Sequence, residues 1–471
     1  MTVSKSRFTP SRSLPNRSLF LKRAQRRGLT LIEIMIALTM TLIVLGAMMS
    51  AFRYASEKMQ LGRSVMEMAN QLRSAEELLR NDLANLTLEP RPYTEAAAPN
   101  GFLEINEGPD TDGDDFGAII AGASSYLGDV DDSIGMTVRS ADGRRFRGVR
   151  IDGAGAPMVI ESTVAEVWYF TTLNDLASDP SVVATDVATI DIEDSIRLHR
   201  RALLIRPDLG VLATDLRLNV EDPTVDDVDS FVANNDISVR VVAQENGLYS
   251  IVANTLADLA LRRNRFAHLA PTFTVSNFPN SPAADITIRR LKPNGEDILL
   301  TDVAGFDVRV YSPNAEVRRV DGLLLEPGDS GYVLAPPGTE EVGAFVDLGY
   351  KGTVTDTEWF ASLSTTKSQL STNYDTWSPS YESDGIDQDG VAGVDQGTNG
   401  LDDFVDVDNA AGTGTPDGND DGTSAPDDDA ERETRPPYPF PIRGIQISTR
   451  LIEKTTQQVQ QSSVIQSYVP E

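Results

Sequence analysis

The segment Leu29–Phe52, LTLIEIMIALTMTLIVLGAMMSAF, runs for 24 residues with a single charge, Glu33. As a helix rising about 1.5 Å per residue it would be roughly 36 Å long, enough to cross the hydrocarbon core of a bilayer. The chain therefore reads as an apolar shaft first and a folded body second. Ahead of the shaft, residues 1–28 hold eight basic residues (Lys5, Arg7, Arg12, Arg17, Lys22, Arg23, Arg26, Arg27) and no acid. By the positive-inside rule that segment stays on the cytoplasmic side and the body lies across the membrane. An ordinary secretory signal fits poorly. Its apolar region would be shorter, and a small-residue cleavage site would follow it, whereas here Gly28 precedes the apolar run.

Glu33 is the anomaly, because a carboxylate five residues into such a segment is costly unless it is paired. In a plain anchor its side chain would lean back to the near interface. Its neighbourhood, Arg26-Arg27-Gly28-Leu29-Thr30-Leu31-Ile32-Glu33, points elsewhere. A basic leader, a Gly, a hydrophobic residue and a Glu fall within a few residues, and the long apolar run follows. This resembles the processing signal of prepilins and pseudopilins. The resemblance implies that a prepilin peptidase cuts between Gly28 and Leu29 and that the new amine on Leu29 is methylated. It also gives Glu33 an assembly role, as counter-charge to the first amine of a neighbouring subunit. Leu at the first mature position departs from the usual Phe or Met.

No Pro occurs between Leu29 and Glu89. Phe52, Ala55, Met59, Val65, Ala69, Leu72, Leu79, Leu83 and Leu86 recur at steps of three or four residues or near-multiples of them. One helix is therefore expected over 29–88, with 29–52 in the membrane and an amphipathic remainder against the body.

From 89 to 381 the signal is β. Glu166–Leu173, Ile237–Ala243 and Phe306–Tyr311 alternate with period two and are rich in β-branched and aromatic residues. Asn246-Gly247 reads as a tight hairpin turn. Over 436–471, Ile445, Ile447, Thr449 and Leu451 alternate with polar residues, and a second run from Val459 to Val469 predicts a terminal hairpin. Thr255–Arg265 reads as a helix capped by Asn254. The expected class is α+β, one long helix on antiparallel sheet. Arg80-Asn81-Asp82-Leu83, Glu166–Phe170, Leu198–Leu203, Leu300–Phe306 and Pro441–Ile445 are similar to short segments of J-type minor pseudopilins of type II secretion. Minor pilins of type IV pili share most of them.

Charge is distributed unevenly. The net charge of −30 becomes −38 once the +8 of residues 1–28 is set aside, and residues 382–435 hold 17 acids against two Arg. An acid excess of this size argues against nucleic acid as a partner. Within that insert, Asp384, Asp387, Asp389 and Asp395 are spaced by Gly and resemble calcium loops, as does the shorter group Asp110, Asp112, Asp114. Ca²⁺ takes six to eight oxygens, and alternate residues of a tight loop present carboxylates and carbonyls together. The competing reading is a solvated acidic loop, since the insert has one aromatic (Phe404) and no bidentate Glu at the end of either group.

Catalytic signals are weak. With no Cys and only His199 and His268, thiolate chemistry is excluded and multi-histidine metal sites are improbable. Gly328-Asp-Ser-Gly331 looks like a protease nucleophile turn but has no His in a supporting motif. Trp168, Trp359 and Trp377 read as packing aromatics. The expectation is a non-enzymatic minor pseudopilin, single-pass in the bacterial inner membrane with a periplasmic body. It would assemble with other pilin-like subunits near the tip of a pseudopilus. The alternatives are a type IV minor pilin, a membrane-anchored calcium-dependent binding protein and an anchored hydrolase.

Overall fold

The computed structural model describes residues 30–88, 90, 101–107, 128–130, 132–141, 143–152, 155–173, 196–216, 227–261, 264–269, 297–320, 322–327, 332, 342–348, 373–376, 442–453 and 458–468. The chain divides into two compact units, Met1–Gly62 and Arg63–Glu471. Helix α1 (Leu31–Ala84, 54 residues) contributes to both. The described part of the first unit is helix throughout, apart from Thr30.

In the second unit the strands are, in order, β1 (Leu103–Asn106), β2 (Ser133–Arg139), β3 (Phe146–Ile151), β4 (Pro157–Ser162), β5 (Val164–Leu173), β6 (Ile196–Leu204), β7 (Val211–Leu216), β8 (Val239–Ala243), β9 (Tyr249–Ala253), β10 (Ile298–Glu316), β11 (Arg318–Val320), β12 (Leu323–Leu325), β13 (Val342–Val346), β14 (Asn373–Asp375), β15 (Gly444–Glu453) and β16 (Gln458–Ser467). A short helix α2 (Asp227–Asn234) precedes β8. The main sheet has nine strands in the order β14-β1-β2-β5-β6-β10-β15-β16, with β13 also on β10; its ladders are antiparallel. The α+β expectation holds.

Period-two alternation sorts the sheet's two faces. On β5, Ala165, Val167 and Tyr169 join the core with the helix residues Met68, Leu72, Ala75, Leu79 and Leu83. The neighbours Trp168 and Phe170 face the other way, into a second core with Val239, Ile251 and Phe266 from the β7-β9-β8 sheet and its flanks. The middle of the main sheet is therefore covered on both sides. At one such crossing, Gly135 lies opposite Trp168, and a Cβ there would come within 2.5 Å of the indole. The last hairpin forms as read: β15 pairs along its whole length with β16, and its odd positions from Ile445 to Leu451 are buried.

The Asn246-Gly247 turn also forms, with Gly247 at φ 76° between β8 and β9. The expected helix over 255–265 does not. The described residues of that span hold a 3-10 turn, Asp258–Ala260, and a second, Phe266–His268, lies just beyond it. Thr255 starts a helical turn by exchanging bonds with Asp258 (Thr255 N to Oδ2 2.7 Å, Asp258 N to Thr255 Oγ1 3.1 Å). The carbonyls that should continue it are taken by side chains. Asn264 Nδ2 donates to Asp258 O at 2.7 Å, and Arg265 donates to Leu259 O at 2.9 Å and Ala260 O at 3.1 Å. Asn254 is no cap: its buried amide donates to Ser238 Oγ and Asn264 O.

His199 on β6 is buried, stacks on Phe170 with ring centroids 5.4 Å apart, and meets Thr172 Oγ1 at 2.7 Å. Burial, then the charge of Arg197, lowers its pKa from 6.5 to about 4. The folded state therefore takes up its proton later than the unfolded chain does. The associated stability is complete above pH 6.5 and is lost as pH falls toward 4, by at most about 3 kcal/mol. His199→Gln should flatten this acid-side loss. Thermal midpoints of the full-length protein measured across that window check it, and parallel curves for the two proteins would refute the assignment.

Candidate functional site

Helix α1 opens with a capping box. Thr30 N donates to Glu33 Oε2 at 3.0 Å, and Glu33 N donates to Thr30 Oγ1 at 3.4 Å. The Glu33 carboxylate is thus turned back toward the helix start and held against the backbone of residue 30. The Thr-x-x-Glu spacing of Thr30 and Glu33 is the sequence signal for this cap. Gly28 and Leu29, the expected cleavage and methylation positions, lie outside the described residues.

From Leu31 to Ser56 the helix is apolar for 26 residues, long enough to cross a membrane, and none of that segment is buried. Leu31, Ile43 and Phe52 are 78%, 66% and 69% exposed. Three of its hydroxyls are satisfied within the helix. Thr39 Oγ1 donates to Met35 O at 2.9 Å, Thr41 Oγ1 to Ala37 O at 2.7 Å and Ser50 Oγ to Gly46 O at 2.9 Å. A helix surrounded by hydrocarbon needs this, because lipid offers no partner for a free polar group. Phe52 and Met59, expected on the inward face, are exposed, and burial begins in the second unit with Val65 and Met68.

The other end of α1 is fastened by a charge. Asp82 is buried and accepts from Tyr169 OH at 2.6 Å and from Arg200 Nε and Nη2 at 2.9 and 3.2 Å. Burial, then the Asp82 charge, pushes the Tyr169 hydroxyl well above its usual range, so it stays protonated and donates. Burial works against the Arg200 charge, but the Tyr169 oxygen and Asp82 together outweigh it. Asp82→Ala would strand a guanidinium that is only 17% exposed. The full-length protein should lose roughly 3–5 kcal/mol. Urea unfolding followed by circular dichroism measures this, and a loss below about 1 kcal/mol would contradict the role given to Asp82.

One further group of carboxylates is brought together by the sheet. Strand β10 leaves β6 at Val303 and meets β13 at Val310. The gap along that edge is filled by Gly128–Val130 and Asp132: Gly128 N donates to Ala304 O, Phe306 N to Asp129 O and Val308 N to Asp132 Oδ2, each at 2.6 Å. Glu107, accepting from Leu348 N at 3.0 Å, completes a buried set in which Glu107, Asp129 and Asp132 each offer an oxygen within 4.8 Å of the others. All-oxygen donors of this kind suit a hard divalent cation. Nothing in the spacing of 107, 129 and 132 announces the group. The expected calcium residues Asp384, Asp387, Asp389, Asp395, Asp110, Asp112 and Asp114 lie outside the described residues, as does Gly328–Gly331. Both histidines are buried within the body, with His268 Nε2 2.6 Å from Glu104 Oε1.

Comparison with known proteins gives one match. Residues 23–49 fit the family model described as the prokaryotic N-terminal methylation motif. No curated protein and no solved structure matches the chain. The match covers Arg23, Arg26 and Arg27 at the end of the basic leader, Gly28, Glu33 and most of the apolar span. The motif implies processing by a prepilin peptidase, assembly with other pilin-like subunits and single-pass anchoring in a membrane. The chain carries the prepilin-type N-terminal methylation signal of type IV pilin-like proteins.

Proposed function

We propose that the chain is a minor pseudopilin of a type II secretion system, a structural subunit near the tip of the periplasmic pseudopilus with no catalytic duty. The observation that carries this reading is the methylation motif running directly into an apolar helix that no described residue covers. In this reading residues 1–28 are removed in the cytoplasm, Leu29 becomes the methylated first residue, and the body stands in the periplasm. Glu33 then pairs with the first amine of a neighbouring subunit, so its charge is neutralised only in the assembled fibre. The J-type assignment is supported by Arg80-Asn81-Asp82-Leu83 at the helix end, where Asp82 ties α1 to the sheet.

In a strain carrying the secretion system, Glu33→Ala should lower recovery of the chain in sheared or cross-linked fibres by roughly tenfold or more, as an interaction of about 1.4 kcal/mol would. Unchanged incorporation would overturn the assembly role. Deleting the gene should abolish secretion and leave twitching and DNA uptake intact. The reverse pattern would assign the chain to a type IV pilus as a minor pilin.

The reading includes Ca²⁺ as a ligand of residues 384–395, on the spacing of Asp384, Asp387, Asp389 and Asp395. Saturating Ca²⁺ should raise the thermal midpoint of the full-length protein, and Asp387→Ala with Asp389→Ala should abolish that rise. No shift in the parent protein would remove calcium from the account.

A further inference from the structure

In a chain of net charge −30, one groove on the body is lined by three arginines and a single carboxylate among apolar and hydroxyl side chains. Strands β3 and β4 form a two-stranded ribbon. The inner edge of β3 is engaged: Val149 N donates to Asp236 Oδ2 at 2.7 Å, Ile151 N to Asn235 Oδ1 at 2.8 Å, and Asp236 N to Val149 O at 2.8 Å. The odd-numbered residues of β3 thus turn their backbone groups away from β4. Val149 is registered opposite Val159, and Ile151 opposite Pro157. In an antiparallel ladder the facing residues share that orientation, so Val159 turns its N–H and C=O to the outer edge of β4. Glu161, two residues on, uses its outward carbonyl to accept from Arg206 Nη1 at 2.8 Å.

Among the described residues no strand pairs with that edge. Met158 and Val159 are 51% and 72% exposed. An open sheet edge with exposed apolar side chains is a template for another strand, and proteins usually blunt it. Beside this edge lies an open groove of about 670 Å³, with Arg145, Arg150 and Arg206 around Met158, Val159 and Leu209. Glu161 is the one carboxylate among its lining residues. Arg145 and Arg147 hold Glu161 at 3.7 and 2.9 Å, and Arg206 holds Asp208 at 2.7 Å. Arg150, directly opposite Met158, makes no ion pair among the described residues.

We propose that the outer edge of β4 docks an extended, acidic segment of a partner protein. Val159 pairs with the segment's backbone, and the segment's carboxylates meet Arg150 and Arg145 in the groove. Backbone bonds supply the affinity and the arginines supply the choice of an acidic strand. The occupant is acidic because the groove's charged side chains are three arginines against one glutamate, and it is extended because the outward groups are a strand's.

The test uses the full-length protein in detergent and a short fluorescent peptide of alternating Glu and Val, followed by anisotropy at low salt. The parent protein should bind it, and a peptide of alternating Lys and Val should bind at least about tenfold more weakly. Arg145→Glu combined with Arg150→Glu should weaken binding of the acidic peptide by roughly tenfold or more. Val159→Pro should do the same, since it deletes only an outward N–H and leaves the β3 ladder intact. An unchanged thermal midpoint checks that ladder. If the proline variant unfolds, a peptide N-methylated at alternate positions makes the same backbone test from the ligand's side. No binding to the parent protein, equal binding of the two peptides, or binding indifferent to the backbone changes overturns the proposal. So does light scattering showing that the parent self-associates through this edge and Val159→Pro does not, which would give the edge to a second copy.

Discussion

The structure depends on an apolar helical surface that the described part of the chain does not cover. Between Leu31 and Ser56 every side chain is exposed. Large apolar groups gain roughly 1.5–3 kcal/mol each on leaving water, so a surface of this length cannot remain hydrated. Lipid and the helices of other subunits are the media that can cover it. Both are dry, and both demand that polar groups be satisfied internally. The back-bonded Thr39, Thr41 and Ser50 meet that demand. Glu33 meets it incompletely: the capping box uses one carboxylate oxygen, and the charge itself still calls for a cation.

The same helix changes character along its length because its pattern changes. Beyond Gly62, Met68, Leu72, Ala75, Leu79 and Leu83 form a narrow apolar stripe with charged and polar residues between. That stripe packs on one face of the main sheet. The opposite face carries a second core and a buried polar network. In that network Arg265 bonds Glu104 at 2.7 Å and Asp375 at 2.6 Å, while Glu166 accepts from Trp168 Nε1 at 2.9 Å and Phe266 N at 2.7 Å. Burial raises the pKa of Glu166, against hydrogen bonds that favour its charge. Charges taken this far from water specify how layers meet more than they add stability. Asp82 plays the corresponding part on the helix side.

What could be read from the sequence followed local periodicity. The alternating runs of β5, β8 and β15, and the run that begins at Val459, all fall on strands. α1 was legible because nothing in it breaks a helix before Glu89. The failures came where side chains from elsewhere decide the outcome. Thr255–Arg265 has helical character, but Asn264 and Arg265 take the carbonyls a helix would use. β10 runs for 19 residues, well past the readable Phe306–Tyr311, because it changes partners along its length and absorbs register shifts in doing so. The carboxylates of Glu107, Asp129 and Asp132 converge only because a loop fills the edge that β10 exposes between partners. No spacing rule anticipates that, whereas Glu33 announces itself by being a lone charge in a greasy run.

The central claim is that the apolar helix begins, in the mature protein, at a freshly cut and methylated residue. The direct measurement is the intact mass and N-terminal sequence of the protein extracted from membranes of cells that contain a prepilin peptidase. The account predicts a chain that starts at Leu29 and carries one added methyl group. A chain still starting at Met1 would contradict it.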